Sequence, residues 1–414
     1  MSSTGQVFSE RVLELLARVL PRERIDRFAA RDGVPACALA APGTLDEAAE
    51  VVRLARAERW AIVPVGNGSK LGWARPPERC ELVLSSRNLR GITAYEPADG
   101  TLTALAGTPW SELVAATSAR HHLSPELPAA ERASLGGVLA AGASGLDRLR
   151  HGPLRHQVLG MLALHADGTR VKSGGRVVKN VTGYDLHRLW CGSQGSLCFL
   201  LEATLRLYPA PAAVAVLETP RLELGEAFAR SHALWRAGVQ PLSLVLCGTE
   251  TGFELAVVLA GREEAVASEL ELASASIGPA RTRLGDDARR ARAELREREL
   301  ASGTWPPLVL ACRPSRLAGA LDRLARVTRE LGLSPRLLCH PLLASAAVEF
   351  SGVEWSGERV AALERGLAGD GVELRWRGLG ARTPPLRTPF AAAELMRRIK
   401  QSLDPEGVFA RSLP

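Results

Sequence analysis

Two stretches of this 414-residue chain concentrate backbone with little side chain just where a diphosphate could be held. "VGNGSKLGW" sets Gly66, Gly68 and Gly72 among Asn67, Ser69 and Lys70, and "ASLGGVLAAGASGL" sets Gly136, Gly137, Gly142 and Gly145 beside Ser134 and Ser144. Without Cβ atoms, successive N–H groups can turn inward and approach an anion, while hydroxyl, amide and ammonium groups add donors to the same concavity. Neither stretch is a G-x-x-x-x-G-K-[ST] loop or a G-x-G-x-x-G turn opening a helix, so kinase-like and dinucleotide-fold loops are not encoded. Taken alone, the first also reads as a plain turn and the second as tight packing between elements. A third segment, "KNVTGYDLHRLWCGSQGSL" (179–197), again puts glycines ahead of a strand-like run, "CFLLEATLRL".

The elements around these turns alternate. "GTLDEAAEVVRLARAERW" is a helix capped near Thr44 with Ala48, Val51, Val52 and Leu54 on its apolar face, and "AIVPV" is a buried strand delivering the chain into the first loop. Short strands follow at 80–85, 91–97 and 100–107, then a helix in "TPWSELVAATSARHH" with Pro109 in its first turn. The glycine-loop style stops at "YPAPAAV" (208–214). From about 215 to 385 strands alternate with helices, which suits a sheet carrying helices on one face, roughly ferredoxin-like, and no internal repeat is visible.

Composition excludes several classes. The formal charge is +7, but the arginines are spread among acids; the basic-looking "DDARRARAELRERE" (286–299) alternates in sign and reads as a solvated helix face, so no nucleic-acid surface is expected. Seven scattered cysteines without a C-x-x-C pair encode neither an iron–sulfur cluster nor a structural zinc, and read as small hydrophobes in a reducing compartment. No window approaches the ~20 apolar residues that span a bilayer, so a cytoplasmic protein is expected.

The combination of "PVGNGSKLGW", "SLGGVLAAGASGLDRLRHGPLRHQVLG", "GGRVVKNVTGYDLHRLWCGSQGSLCFLLEATLRLYP" and "IKQSLDPEGVF" resembles the FAD-binding oxidoreductases of the vanillyl-alcohol oxidase type, with their PCMH-type flavin domain. Within that family, "GGRVVKNVTGYDLHRL" and the short cap resemble the E subunits of bacterial glycolate oxidases. The resemblance implies an α+β fold: an N-terminal helical segment (1–30), a two-subdomain PCMH-type FAD-binding domain (31–211), a smaller ferredoxin-like cap (212–385) and a C-terminal segment (386–414) returning to the flavin domain. It implies that Gly66, Asn67, Gly68, Ser69 and Lys70 wrap the FAD pyrophosphate, that Ser134, Leu135, Gly136 and Gly137 form the opposing turn, and that Gly142, Ser144 and Gly145 lie against the flavin or ribityl chain. Lys179, Asn180, Gly183, Tyr184 and Asp185 would approach the flavin, and Gly195 to Phe199, including Cys198, would meet the adenosine half through backbone groups. A surface ion pair remains the alternative for Lys179 and Asp185, and half-buried packing for Tyr184. His156, Cys198 and "VFARSLP" depart from the family pattern. With no His in the first loop, non-covalent FAD is expected.

That family takes a hydride from the α-carbon of a 2-hydroxy acid such as glycolate, the cofactor carrying the hard step. After residue 209 only His232 and His340 occur, at no metal-ligand spacing, so no metal is expected; His151 and His156 flank Pro153 beside the flavin region, and Arg176 or Arg188 could hold a carboxylate. The catalytic residues stay unassigned. Lacking its own cluster, the chain would pass electrons on within a complex containing a second FAD subunit and an iron–sulfur subunit, peripheral to the inner membrane through those partners. The alternative is a non-catalytic subunit that keeps the FAD fold and completes such a complex.

Overall fold

The computed structural model describes residues 3–176, 183–249, 251–299, 307–369, 371–379 and 393–410. Helix α1 (Ser3–Leu16) buries Val12 and Leu16 and then stops, well short of residue 30. Pro21 disfavours helical backbone in the residue before it, and Ile25–Phe28 instead forms strand β1, antiparallel to β2 (Cys37–Ala40). In α2 (Leu45–Ala57), Thr44 Oγ1 accepts the Glu47 N–H at 3.2 Å, and Ala48, Val51 and Val52 are buried as the apolar periodicity requires. Strands β3 (Ile62–Val65) and β4 (Leu82–Ser85) lie parallel, giving a four-stranded sheet of order β1-β2-β4-β3.

A second sheet, five-stranded and antiparallel, has the order β5-β6-β10-β8-β9: β5 (Ile92–Glu96), β6 (Thr101–Leu105), β8 (Val158–Leu164), β9 (Arg170–Gly174) and β10 (Phe199–Arg206). Between β6 and β8 run α3 (Trp110–Thr117), the short β7 (His121–His122), α4 (Leu135–Ala141) and α5 (Arg148–His151); α6 (Leu186–Trp190) precedes β10, and β11 (Tyr208–Pro209) pairs with β7. The glycine turns lie where the two sheets approach.

The cap holds a repeat that the sequence hides. Strands β12 (Ala213–Glu218), β13 (Ser243–Thr249), β14 (Gly252–Gly261) and β15 (Arg281–Leu284), with α7 (Leu224–Arg236) and α8 (Glu263–Ile277), form one β-α-β-β-α-β unit of order β15-β12-β14-β13. Strands β16 (Leu308–Ala311), β17 (Pro335–His340), β18 (Ser345–Phe350) and β19 (Glu373–Trp376), with α10 (Leu317–Glu330) and α11 (Gly357–Leu367), repeat the topology in the order β17-β18-β16-β19. The units join edge to edge through antiparallel β13 and β17, with Leu246 opposite Cys339. One face of the resulting eight-stranded sheet packs on the four helices through Leu217, Leu246, Leu308, Leu310, Val348 and Leu374, each fully buried Leu stabilising by ~1.5–3 kcal/mol.

The helices are not confined to that face. Helix α9 (Gly285–Glu297), expected as a solvated face, lays Ala288, Ala291 and Leu295 on Val214, Val216 and Val258 of the opposite face of the first unit. Its Arg292 is buried and donates to Glu126 Oε2 of the flavin domain at 2.8 Å, so part of its alternating charge is an inter-domain tie. The C-terminal α12 (Ala393–Leu403) leads to a stretch that rejoins β3: Ile62 N–H donates to Val408 O at 2.7 Å and Ala410 N–H to Ile62 O at 2.8 Å. Among the described residues, no helix is long and apolar enough to cross a membrane.

Candidate functional site

β3 runs into Gly66, and a methyl there would lie 1.9 Å from Ser134 Oγ. The absence of a side chain is therefore what lets the second turn close on the first. Ser134 is buried and caps α4, its Oγ accepting the Gly137 N–H at 3.3 Å, while Gly136 N–H donates to Ala106 O at 2.7 Å. Gly142 ends α4 at φ +57°, and a methyl on it would meet Gly192 Cα at 3.1 Å; Gly192 N–H donates to Leu139 O at 2.9 Å and Gln194 N–H to Ala140 O at 2.8 Å. Gly195, at φ +75°, sits against Pro64 of β3, 3.2 Å from where a methyl would stand. Three glycine-bearing turns, separated by some sixty residues each in the chain, thus converge at the end of β3.

The remaining expected positions sort differently. Ser144 Oγ accepts from Arg148 Nη1 at 3.1 Å, and Gly145 is packed on the Glu126 backbone. Leu135, Cys198 and Phe199 bury their side chains in the core, so any contact from them to a ligand is through backbone. Gly183 is exposed, Tyr184 is 91% exposed rather than half-buried, and Asp185 pairs with Arg188 at 3.1 Å, which engages Arg188 locally. The structure does not gather these three with the turns. Lys179 and Asn180 lie outside the described residues.

Around the first loop the fold assembles cations that no local pattern revealed. A cleft of about 740 Å³ runs from Asn67, Gly68 and Ser69 to the cap and is lined by Arg31, Arg132 and Arg377. The Arg31 guanidinium lies across Gly68, where a methyl would stand 1.8 Å from Nη2. Arg377 stacks 3.8 Å over the Trp73 ring, and Gly378 N–H donates to Gly72 O at 2.8 Å, clamping cap to loop. Lys70 is only 8% exposed; burial, then Arg377 and Arg132, bring its ammonium down to about 8. Burial, then Arg375, brings Arg377 down to about 10. Crowded cations of lowered pKa, a glycine cradle that a Cβ would fill and inward hydroxyls form a donor set that fits a diphosphate.

Beyond the cleft lies the second unit's other sheet face, which no helix among the described residues packs on as α9 packs on the first unit. Val309, Ala311, Leu338, His340, Ala347, Glu349 and Arg375 alternate onto it, mostly half-buried or exposed. Glu299, just past α9, places Oε1 4.0 Å from His340 Nε2. Burial, then Asp147 and Glu126, pushes the Glu299 carboxyl well above the usual range, and burial, then Arg148, holds His340 at about 4. Partial burial, then Arg155 and Arg375, lowers Arg148. At neutral pH the Glu299–His340 pair therefore offers a neutral imidazole beside a carboxyl of raised proton affinity, among guanidinium groups. None of these residues shares a motif; they meet only because cap and flavin domain fold onto each other.

The comparisons agree with this architecture. Residues 36–174 match the family model described as FAD binding domain. Glycolate oxidase subunit GlcE of Escherichia coli (strain K12) is 35% identical over 196 residues, 47% of this chain and 55% of that protein. D-2-hydroxyglutarate dehydrogenase of Xanthomonas citri pv. viticola is 34% identical over 203 residues, 48% and 43% of the respective chains. The chain spans about half the length of the curated relatives it matches, or less. Among solved structures, p-cresol methylhydroxylase with substrate bound superposes with a TM-score of 0.77 at 15% identity, covering 98% of this chain and 97% of that one. 4-Ethylphenol oxidase from Gulosibacter chungangensis gives 0.74 at 13%, covering 100% and 98%. The chain thus has the fold of these two structures over its whole length and carries an FAD binding domain at residues 36–174, which makes FAD its cofactor.

Proposed function

We propose that the chain is the FAD-binding subunit of a 2-hydroxy acid oxidoreductase complex of the glycolate oxidase kind. The observation that carries this reading is the cluster on the cap face in which His340 stands 4.0 Å from Glu299, with Arg148 beside it and Arg155 and Arg375 beside Arg148. Gly66 to Lys70 hold the diphosphate, the second turn closes behind them through Ser134, and Arg31, Arg132 and Arg377 offset the charge. Guanidinium groups hold the substrate carboxylate, bidentately where two donors face it. FAD, when bound, supplies the acceptor for the hydride leaving the substrate α-carbon. His340, neutral at working pH, takes the hydroxyl proton, and the negative substrate raises its basicity as it binds. The product is a 2-oxo acid.

Relatives named as D and E subunits of glycolate oxidase support placement in a complex with a second flavin subunit. An iron–sulfur subunit is placed next in the electron path because the seven cysteines of this chain include no C-x-x-C pair. Anaerobic mixing of the yellow protein with glycolate, D-lactate and D-2-hydroxyglutarate tests the reading. Bleaching by at least one of them is expected, slowed ~10²–10⁴-fold in His340→Ala. A flavin that no 2-hydroxy acid bleaches, in a chain a partner still requires for its own activity, would establish the non-catalytic role instead.

A further inference from the structure

Beside the Glu299–His340 pair, two side chains of one helical turn meet a third from a strand 25 residues earlier. Asp147 and His151 stand four residues apart across the single turn of α5, on one side of it, and His122 faces them from β7. One ligand atom from each lies within 4.8 Å of the other two. His122 Nε2 is 2.8 Å from Asp147 Oδ2, and the second carboxylate oxygen, Oδ1, accepts the Glu126 N–H at 2.8 Å. That outer contact fixes the carboxylate in the orientation a metal ligand needs. The His151 ring is held by stacking 3.8 Å from Tyr208, and neither of its nitrogens hydrogen-bonds to a described residue. Asp147 is fully buried and both imidazoles are half-buried, so the group is supported from behind and open from one side.

The surrounding charges permit a cation. Glu126 and Glu299 lie on the acidic side; of the nearby cations, Arg292 is paired with Glu126 at 2.8 Å and Arg150 lies 4.0 Å from Glu269. Arg206 is turned onto the Tyr208 ring, 5.5 Å from its centroid. Two imidazole nitrogens and one carboxylate oxygen suit a borderline ion, not magnesium or calcium, which take oxygen ligands. Tetrahedral bonds of ~2.0–2.2 Å put ligand atoms ~3.3 Å apart. The 2.8 Å contact must open slightly and the farther atom close by about 1.5 Å, within the reach of side-chain rotation.

We propose that His122, Asp147 and His151 form a zinc site in the flavin domain, three protein ligands with a fourth position for water. The metal would take the place of the hydrogen between His122 Nε2 and Asp147 Oδ2, with the neutral ring carrying its one proton on Nδ1. The test uses the full-length flavin-loaded chain, stripped with chelator, offered zinc, passed through gel filtration and assayed for metal by mass spectrometry. One zinc per chain is expected for the wild type and for His232→Gln. His122→Gln, which can still hydrogen-bond Asp147, and His151→Phe, which keeps the stack on Tyr208, should each weaken zinc binding more than ~10-fold, since outer partners alone are worth ~10–100-fold. Unchanged flavin content and melting temperature of zinc-free variants would show that the loss is local. A metal-free wild type, or variants that retain zinc as the wild type does, overturns the site.

Discussion

Gly66→Ala probes whether the first two turns close on each other as drawn. The added methyl would lie 1.9 Å from Ser134 Oγ and 3.2 Å from Ser134 Cβ, with Gly137 N at 3.5 Å. Heavy atoms rest at about 3.5 Å or beyond, so the turns must part by roughly 1.5 Å, and overpacking of this kind costs ~1–3 kcal/mol. Ser134→Ala removes the offending oxygen but also the cap on Gly137 N–H, which costs ~1 kcal/mol by itself. If the clash is with Oγ, the double variant should lose only ~1–2 kcal/mol instead of the additive ~2–4, a coupling of about −1 to −2 kcal/mol. Urea unfolding of the flavin-free chain reads the stability term. Fluorescence titration with FAD reads the other consequence, because donors displaced from the diphosphate should weaken binding about tenfold or more for each 1.4 kcal/mol lost. Additive losses, or a Gly66→Ala chain that binds FAD and unfolds like the wild type, would refute the convergence of the turns.

Other consequences are as direct. Lys70, at about 8 against an ordinary 10.5, loses its charge in the folded chain first; the unfolded chain binds more protons between pH 8 and 10.5, so stability of the flavin-free chain should rise across that window while FAD affinity, which uses the cation, falls. Lys70→Met should flatten both curves, measured by denaturation and titration at pH 7 to 10. Lys400 Nζ donates to Ser196 O at 2.7 Å and Phe409 O at 2.8 Å and pairs with buried Asp404, so Lys400→Met should cost ~3–5 kcal/mol and expose the C-terminal stretch to protease. Arg292→Ala, which leaves Glu126 largely buried and without its closest cation, should cost ~3–5 kcal/mol in urea. Arg289→Ala, which breaks an exposed pair with Asp286, should cost under ~1 kcal/mol in the same assay.

Much of the flavin domain was legible because its signals are local. Thr44 capping, the Ala48–Val52 stripe and the strand entering "GNGSK" depend only on neighbours within a turn or two. The site was half legible for the same reason: turns can be read, but what they turn toward cannot. Arg31, Arg132 and Arg377 join the first loop across as many as three hundred residues, and Glu299 and His340 come from the end of one cap unit and a strand of the next. Helix α9 misled because a stripe of Ala288, Ala291 and Leu295 is narrow, and its charges read as solvated until Glu126 meets Arg292. The cap repeat left no trace because β-α-β-β-α-β topology is set by element lengths and polarity, which many unrelated residues satisfy.

The two cap units differ in what lies on their second faces. In the first, β12 and β14 bury residues on both faces, and α9 supplies the second cover with small side chains that fit a flat apolar surface. In the second, β18 alternates half-buried and buried positions along Ser345–Phe350, and Glu349, Arg375 and His340 fall on the side without a helix. An apolar helix laid there would take water from those groups and from their partners Arg336, Glu373 and Glu299, a desolvation cost that their pairing does not fully repay. The same polarity is what the proposed anionic substrate would meet there. Its alternation is visible in "SAAVEF", so a sheet built twice from one topology becomes covered scaffold in one copy and a polar face in the other through a few polar residues on one side of the sheet.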